Sequence, residues 1–118
     1  DGIVTGSLVN AKAVAEYIRR EDPLKLSLVC MGFGGSRRSA EDELCALYIK
    51  SMLEGKKIED FEERIEGLKT DGGERFFDRE RQDVFPEKDF YMCSDTDRFD
   101  FVIKIERDGL GLISVREP

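Results

Sequence analysis

Apolar residues recur at helical spacing in two long stretches of the chain. In AKAVAEYIRR, residues 11–20, the apolar positions share one face, and Asn10 stands where an N-cap is expected. From Ser39 to Gly55, a wider apolar face follows a serine and an acidic first turn and ends at a glycine. The pattern therefore predicts two helices, with a shorter third helix over residues 58–68.

Two apolar segments flank the first of these helices. Ile3 and Val4 indicate the end of a short buried strand, and LKLSLVCMG, from Leu24 to Gly32, is almost continuously apolar, which is typical of a strand buried on both faces. Because strand, helix and strand follow one another, the pattern predicts a right-handed parallel crossover. We therefore expect an α/β fold, with α/β/α layers and a mainly parallel sheet.

The remainder of the chain has a different pattern. FVIKIERDGLGLISV, residues 101–115, places two β-branched runs around Asp108-Gly109 and predicts a C-terminal β-hairpin. Between residues 70 and 99 the periodicity is lost while aromatic residues recur, which favours a wrapped connection of short helical turns held by those aromatics. The length suits a single domain covering residues 1–118.

Charge and composition exclude several classes of function. Asp and Glu number 26 against 19 Lys and Arg, and the net charge of −7 argues against a broad surface for nucleic acid or anionic membrane. No apolar run approaches the ~20 residues of a membrane span. Histidine is absent, so the chain lacks the usual general base and most zinc sites. Carboxylates or a hard metal ion would have to carry any chemistry.

The cysteines indicate a compartment rather than a site. Cys30, Cys45 and Cys93 are odd in number, are not clustered as metal ligands and lie in apolar or aromatic surroundings. We interpret them as buried free thiols of a soluble protein in the reducing cytoplasm.

The stretch VCMGFGGSRRSAEDE, residues 29–43, carries the candidate chemistry. A predicted strand ends there in glycines and leads to a helix N-terminus, whose amides and dipole favour anions. Glycines would let a phosphate or sulfonate approach the backbone, while hydroxyls and guanidinium groups would bind its oxygens. The substrate-binding candidates are Gly34, Gly35, Ser36, Arg37, Arg38 and Ser39.

Two acidic residues in the first turn of the same helix are candidate metal ligands. Glu41 and Asp42 would lie near the bound anion, where they could hold a Mg²⁺ ion that bridges protein and phosphate oxygens. Either residue is also a candidate for catalysis of phosphate monoester hydrolysis. Ser7 and Asn10 are second-rank substrate ligands, because ligands gather at the carboxyl ends of neighbouring parallel strands.

A structural interpretation of the same residues competes with this hypothesis. Acids in a first turn commonly complement only the helix dipole, and a Gly-Ser turn commonly only joins a strand to a helix. Arg37 and Arg38 could equally be surface counterions, and Asn10 could be a helix cap alone.

Three segments together resemble a known family. GSLVNAKAVAEYI, residues 6–18, is followed by LVCMGFGG and SAEDELCA within residues 28–46, and by ERFF and DVFPEKDFYMCSDTDRFDFV within residues 74–102. In this order they resemble the second half of the 2-phosphosulfolactate phosphatases. Gly34, Gly35, Ser39, Glu41 and Asp42 match that family's Gly-Gly and Ser-x-Glu-Asp pattern, and Ser7 and Asn10 match its Gly-Ser-x-x-Asn-Ala pattern.

The resemblance implies a Mg²⁺-dependent phosphatase with a layered α/β fold. Such an enzyme converts 2-phosphosulfolactate to sulfolactate and phosphate in coenzyme M biosynthesis. Family members are about twice as long, and their first half carries an Asp and Arg motif and a Thr-Asn-Gly-Thr motif without counterparts here. The chain is therefore expected to be either one domain or the C-terminal half of a larger phosphatase domain, partnered by a second copy or by a chain that supplies the other half.

Two alternatives to this function remain open. The chain could be a non-catalytic module for anion binding or protein interaction, or it could act in a phosphatase for another small phosphorylated acid.

Overall fold

A three-stranded antiparallel sheet joins the two ends of the chain. The computed structural model describes residues 2–118, with strands β1 (Ile3–Thr5), β2 (Val102–Asp108) and β3 (Gly111–Glu117) in the order β1-β2-β3. Both pairings are antiparallel, and Ile3 lies opposite Ile105. The predicted layered α/β/α fold with a mainly parallel sheet is therefore wrong for the described residues.

The error lies in the segment that was predicted to be a central strand. Residues 24–32 pair with no other strand among residues 2–118, and Val29 and Met31 are 73% and 71% exposed. A strand buried on both faces needs neighbours for its backbone N–H and C=O groups. Without them the predicted parallel crossover is absent, and β1 pairs instead with the distant β2.

Four α-helices lie between the strands, and the first two agree closely with the sequence pattern. The third is shorter than predicted, and the fourth lies in the aromatic-rich connection. Their bounds are α1 (Ala11–Glu21), α2 (Ala40–Leu53), α3 (Phe61–Gly67) and α4 (Glu87–Cys93).

The hydrophobic core lies where α1 meets α2 and β2. Leu8 and Val102 are almost completely buried there, together with Val14 from α1 and Ile49 from α2. Leu8 belongs to a single-turn 3-10 helix, Leu8–Asn10, that leads directly into α1. The apolar faces predicted for both helices are thus the faces that pack against each other.

The N-terminus of α1 is capped by a residue that is distant in sequence. Asn10 holds the N-cap position, but its Oδ1 accepts a hydrogen bond from the Ser7 amide (3.0 Å) and its Nδ2 donates to the carbonyl of Phe101 (3.2 Å). The amide of Lys12 instead donates to Asp97 Oδ1 at 2.8 Å. Asp97 satisfies a helix-end donor that has no partner within the helix.

The aromatic-rich connection and the C-terminal hairpin follow the predictions. Short helical turns, Glu74–Phe77 and Arg79–Arg81, precede α4, and the ring of Phe77 lies 5.3 Å from that of Phe90. In the hairpin, Asp108 pairs with Gly111 across a two-residue loop.

The cysteines differ from one another in exposure. Cys45 is buried on α2, and burial is the main reason why the pKa of its thiol rises to about 12, with repulsion from Glu41 and Asp42 next. Cys30 and Cys93 are exposed, so the prediction that all three are buried is wrong for those two. Among residues 2–118, no helix is both long enough and apolar enough to cross a membrane.

Candidate functional site

A tight turn at residues 32–37, the glycine turn, precedes α2. It closes through a hydrogen bond of 2.8 Å from the Phe33 amide to the Arg37 carbonyl. Gly32, Gly34 and Gly35 all have positive φ, a conformation that residues with a Cβ rarely adopt. At Gly32 a Cβ would also lie only 2.1 Å from the carbonyl oxygen of Arg37. The fold of this turn therefore requires glycine at position 32 on two grounds.

Asp42 ties the glycine turn to the start of α2. Its Oδ2 accepts a hydrogen bond of 2.7 Å from the Gly32 amide, while its own amide donates to the hydroxyl of Ser39 at 3.4 Å. Ser39 is the N-cap of the helix and is buried. Both residues thus have a structural role, as the capping interpretation of the sequence expects.

Glu41 is more accessible than Asp42 and is electrostatically disfavoured as an anion. Its side chain reaches the surface, but the surrounding protein partly desolvates it, which is the largest cause of its raised pKa, and repulsion from Asp42 raises the pKa further. The nearby charge of Arg75 acts in the opposite direction. A bound cation would relieve the repulsion between these two carboxylates.

The acidic pair fits a hard divalent cation only in part. Mg²⁺ takes oxygen ligands and often binds through one or two carboxylates, with waters and phosphate oxygens completing its shell. Glu41 and Asp42 could supply two such ligands, although Asp42 already accepts one backbone hydrogen bond. Residues 2–118 contain no group of three or more Cys, Asp or Glu side chains arranged for a metal.

A surface cavity of about 570 Å³ lies between the glycine turn and the loop at residues 71–75. Its volume is within the range of small-molecule sites. Three arginines and two acids contribute to its wall, which gives the lining a net positive charge in an acidic protein. The lining includes Phe33, Arg37, Arg38, Asp71, Glu74 and Arg75.

Among the three arginines that line the cavity, Arg75 is the one that the sequence pattern did not predict. Its guanidinium lies 4.6 Å from the ring centre of Phe76, and Nη1 donates a hydrogen bond of 2.7 Å to the Gly72 carbonyl. The available signal was an arginine between glycines and two phenylalanines in GGERFF, since guanidinium groups stack on aromatic rings. Nothing in the local pattern indicated that this loop faces the glycine turn.

The other predicted ligands divide into two groups. Arg37 and Arg38 line the cavity, although Arg38 also pairs with Glu43, whose Oε1 lies 2.8 Å from Nε. Ser7 and Asn10 do not line it, because they bond to each other and Asn10 bonds to Phe101. Their predicted place beside the turn depended on parallel strands, which the described residues do not form.

The remaining predicted ligands surround the turn without lining the cavity. Gly34, Gly35 and Ser36 are exposed at its tip, whereas Ser39 is buried beneath it. The hydroxyl of Ser36 donates to the carbonyl of Phe33 at 3.5 Å. The turn thus brings the basic candidates together at the cavity and leaves the glycines open to solvent.

Two comparisons with known proteins point to the same family. A family described as 2-phosphosulpholactate phosphatase matches residues 1–108. The chain is also 34% identical over 108 residues to a protein of Bacillus subtilis (strain 168) named "Probable 2-phosphosulfolactate phosphatase". That alignment covers 90% of this chain but 45% of the relative, so the chain spans less than half the length of this curated relative. No solved structure matches the chain.

Proposed function

Because the chain belongs to the 2-phosphosulfolactate phosphatase family, we propose that it forms part of a phosphoric monoester hydrolase acting on 2-phosphosulfolactate. The products would be sulfolactate and phosphate, and the reaction would serve coenzyme M biosynthesis in the cytoplasm. The observation that carries the proposal is the arginine-lined cavity beside the Glu41 and Asp42 pair.

The charges of the cavity suit this substrate. 2-Phosphosulfolactate carries a phosphate, a sulfonate and a carboxylate, and guanidinium groups bind such planar or tetrahedral anions through paired N–H donors. Arg37, Arg38 and Arg75 supply these donors in a protein whose overall charge is −7. Gly34 and Gly35 leave the backbone of the turn accessible, and the exposed Ser36 could donate its hydroxyl to a substrate oxygen.

We propose Mg²⁺ as the cofactor, held by Glu41 and Asp42. When bound, the ion would neutralise phosphate charge and polarise the phosphoryl group. The carboxylates have a second role that needs no ligand, because Asp42 fixes the glycine turn through Gly32. Ser39 supports the same geometry as the N-cap of α2, where its hydroxyl accepts a hydrogen bond from the Asp42 amide.

A second polypeptide segment is part of the proposal. The relative has more than twice the length that this chain matches. Leu24, Leu26, Val29 and Met31 are exposed, in a segment that has no strand partner among residues 2–118. Exposed apolar segments with unpaired backbone groups favour addition of another strand. We expect a chain carrying the rest of the family's length to cover this segment and to supply further site residues; self-association of this chain would instead indicate a second copy.

The first experiment measures phosphate release from 2-phosphosulfolactate with and without Mg²⁺. It uses the 118-residue chain and a family-length protein that contains the same residues. Activity should require Mg²⁺, and Glu41→Gln or Asp42→Asn in the active form should lower it at least about tenfold, because each removes a ligand oxygen. Glu63→Gln, which neutralises an exposed acid in the first turn of α3, is the matched control and should leave activity unchanged.

Two results would count against the proposal. One is the absence of turnover by both proteins under all metal conditions. The other is a loss of thermal stability in the Glu41 and Asp42 variants with full activity per folded molecule, which would assign these acids to capping alone.

One observation favours a non-catalytic anion-binding module as the second candidate. Asp42 and Ser39 are both engaged in holding the turn and the helix end together. A module of this kind would bind sulfolactate and inorganic phosphate without releasing phosphate from any ester. Turnover of another small phosphorylated acid in place of phosphosulfolactate would indicate a different substrate within the same reaction class.

A further inference from the structure

Arg75 has the features of a ligand-binding arginine rather than a surface counterion. The residue is partly buried, yet no carboxylate lies within 4.0 Å of its guanidinium among residues 2–118. The hydrogen bond to the Gly72 carbonyl uses one of its five N–H donors. The group is therefore held in place while most of its donors remain available.

Aromatic rings fix the orientation of this guanidinium. Its central carbon lies 4.6 Å from the ring centre of Phe76, 5.6 Å from that of Phe85 and 5.5 Å from that of Phe33. These ring contacts hold the guanidinium in place and reduce the conformational freedom that it would lose on binding a ligand. Its remaining N–H donors, at the edge of the planar group, are available to an anion.

The ring of Phe33 also brings a second cation to the same cavity. Arg37 lies 5.6 Å from the centre of that ring, and it likewise has no carboxylate within 4.0 Å among the described residues. Both guanidinium groups line the same cavity, so their like charges repel each other there. An anion bound in the cavity would be attracted to both groups.

The acids of the cavity wall do not neutralise this pair of arginines. Glu74 directs its Oε2 to the Gly72 amide at 3.0 Å, and Asp71 is exposed. Glu41 and Asp42 are outside the lining, although Glu41 is near enough to feel the charge of Arg75. A ligand that spans both places could put one anionic group against the arginines, and a second anionic group could lie beside the acidic pair when the proposed Mg²⁺ is bound there.

We propose that Arg75 and Arg37 bind the sulfonate of the substrate and so determine its specificity, while the phosphate lies toward Glu41 and Asp42. This inference rests on the proposed function and names the residues that would select for the sulfonate within the same site. The carboxylate of the substrate cannot be the selective group, because unsulfonated hydroxy acids also carry one. Arg75 is a substrate-binding residue in this assignment.

The test compares the binding of sulfolactate with that of lactate, which lacks the sulfonate, by calorimetry on the 118-residue chain. Wild type should bind sulfolactate more tightly than lactate. Arg75→Gln should weaken sulfolactate binding by about tenfold to a hundredfold, as expected for a lost charge-assisted contact, and should change lactate binding less than about threefold. Arg75→Lys should give an intermediate loss, because lysine keeps the charge but lacks the paired planar donors.

Arg79→Gln is the matched control, because this exposed arginine lies in the same connection but not in the cavity lining. It should bind both ligands as wild type does. Circular dichroism and thermal unfolding establish whether each variant is folded. Should Arg75→Gln fail to fold, the comparison between Arg75→Lys and wild type decides whether Arg75 contributes to sulfolactate binding.

Three outcomes would overturn the inference: no binding of sulfolactate by wild type, equal binding by wild type and the folded Arg75 variants, or equal losses for sulfolactate and lactate. Failure of the proposed function has a different signature. Arg75-dependent sulfolactate binding without phosphate release from the family-length protein would remove the enzymatic function and keep the sulfonate site. Phosphate release with a KM that Arg75→Gln leaves unchanged would keep the enzymatic function and remove the sulfonate site.

Discussion

The core around α1 and the segment at residues 24–38 are similarly apolar in sequence, but they differ in how far their apolar side chains are buried. Leu8 and Val14 are 1% and 2% exposed, whereas Val29 and Met31 are 73% and 71% exposed. The core residues meet α2 and a strand from the far end of the chain. The difference teaches that an apolar pattern states which residues gain from burial, while burial itself requires a surface that covers them.

The two regions also differ in how they are held. Long-range contacts fix the core, such as the hydrogen bonds of Lys12 and Tyr48 to Asp97. The glycine turn depends on bonds within a few residues and on one link from Asp42 to Gly32. The candidate site is therefore built on the less extensively packed region, which is common for binding loops on a packed scaffold.

The largest expected difference is in thiol chemistry, because each region carries one cysteine. The pKa of Cys45 is raised from an ordinary 9.0 to about 12 by burial first and by neighbouring acids second. At pH 8 this lowers its thiolate fraction about a thousandfold. Iodoacetamide should label the exposed Cys30 rapidly and Cys45 hardly at all, as measured by mass spectrometry of peptides.

The raised pKa of Cys45 also predicts how its labelling depends on pH. The thiolate fraction of Cys45 should rise about tenfold per pH unit while the pH stays below its raised pKa. In urea all three cysteines should react alike, which is the control for intrinsic reactivity. Equal labelling of Cys30 and Cys45 in the native chain would mean that the face of α2 that carries Cys45 is accessible to solvent. That result would contradict the difference in burial between the two regions.

The next largest effect is on stability. Leu8→Ala should lower the free energy of unfolding by about 2–5 kcal/mol, because it leaves a cavity in the packed core. Val29→Ala, the matched change in the exposed segment, should alter it by less than about 0.5 kcal/mol. Urea unfolding followed by circular dichroism measures both, with an unchanged m-value as the check on two-state behaviour.

This pair of variants would also reveal a covering partner. If Val29→Ala destabilises the isolated chain as much as Leu8→Ala does, the exposed segment is packed in solution. An effect of Val29→Ala that appears only in the family-length protein would instead support the proposed second segment.

The smallest expected effect compares a long-range hydrogen bond with a local one. The hydroxyl of Tyr48 donates to Asp97 Oδ2 at 2.6 Å while its ring stacks on Phe61, so Tyr48→Phe removes the bond and keeps the stack. We expect a loss of about 1 kcal/mol in the free energy of unfolding. Ser36→Ala, which removes a hydroxyl at the exposed turn, should cost less than about 0.5 kcal/mol.

Alkaline titration sharpens this prediction. The pKa of Tyr48 is raised to about 12, mainly by burial and then by its bond to Asp97. A raised pKa favours the protonated hydroxyl in the folded state, so its stabilisation is complete below about pH 10 and is lost as the pH rises toward 12. The stability difference between wild type and Tyr48→Phe should shrink over that interval; a constant difference would contradict the assignment.

The candidate site could be predicted in part from the sequence. The glycine turn, the Ser39 cap and the acidic first turn of α2 were all evident, because each depends on residues close together in the chain. Arg75 was not, because its place beside Arg37 depends on how the loop at residues 71–75 packs against the turn. For Asn10 the predicted N-cap position was correct, but its side chain donates to the carbonyl of the distant Phe101.

The sequence by itself determined the local elements: the two amphipathic helices, the aromatic turns and the hairpin at Asp108-Gly109. These depend on short-range periodicity, capping and turn chemistry. Only the tertiary structure decided that the sheet is antiparallel, that residues 24–32 lack a strand partner in the described chain, and that three arginines line one cavity. Pairing and convergence depend on which distant surfaces meet, and hydrophobic periodicity within one segment carries no information about its neighbour.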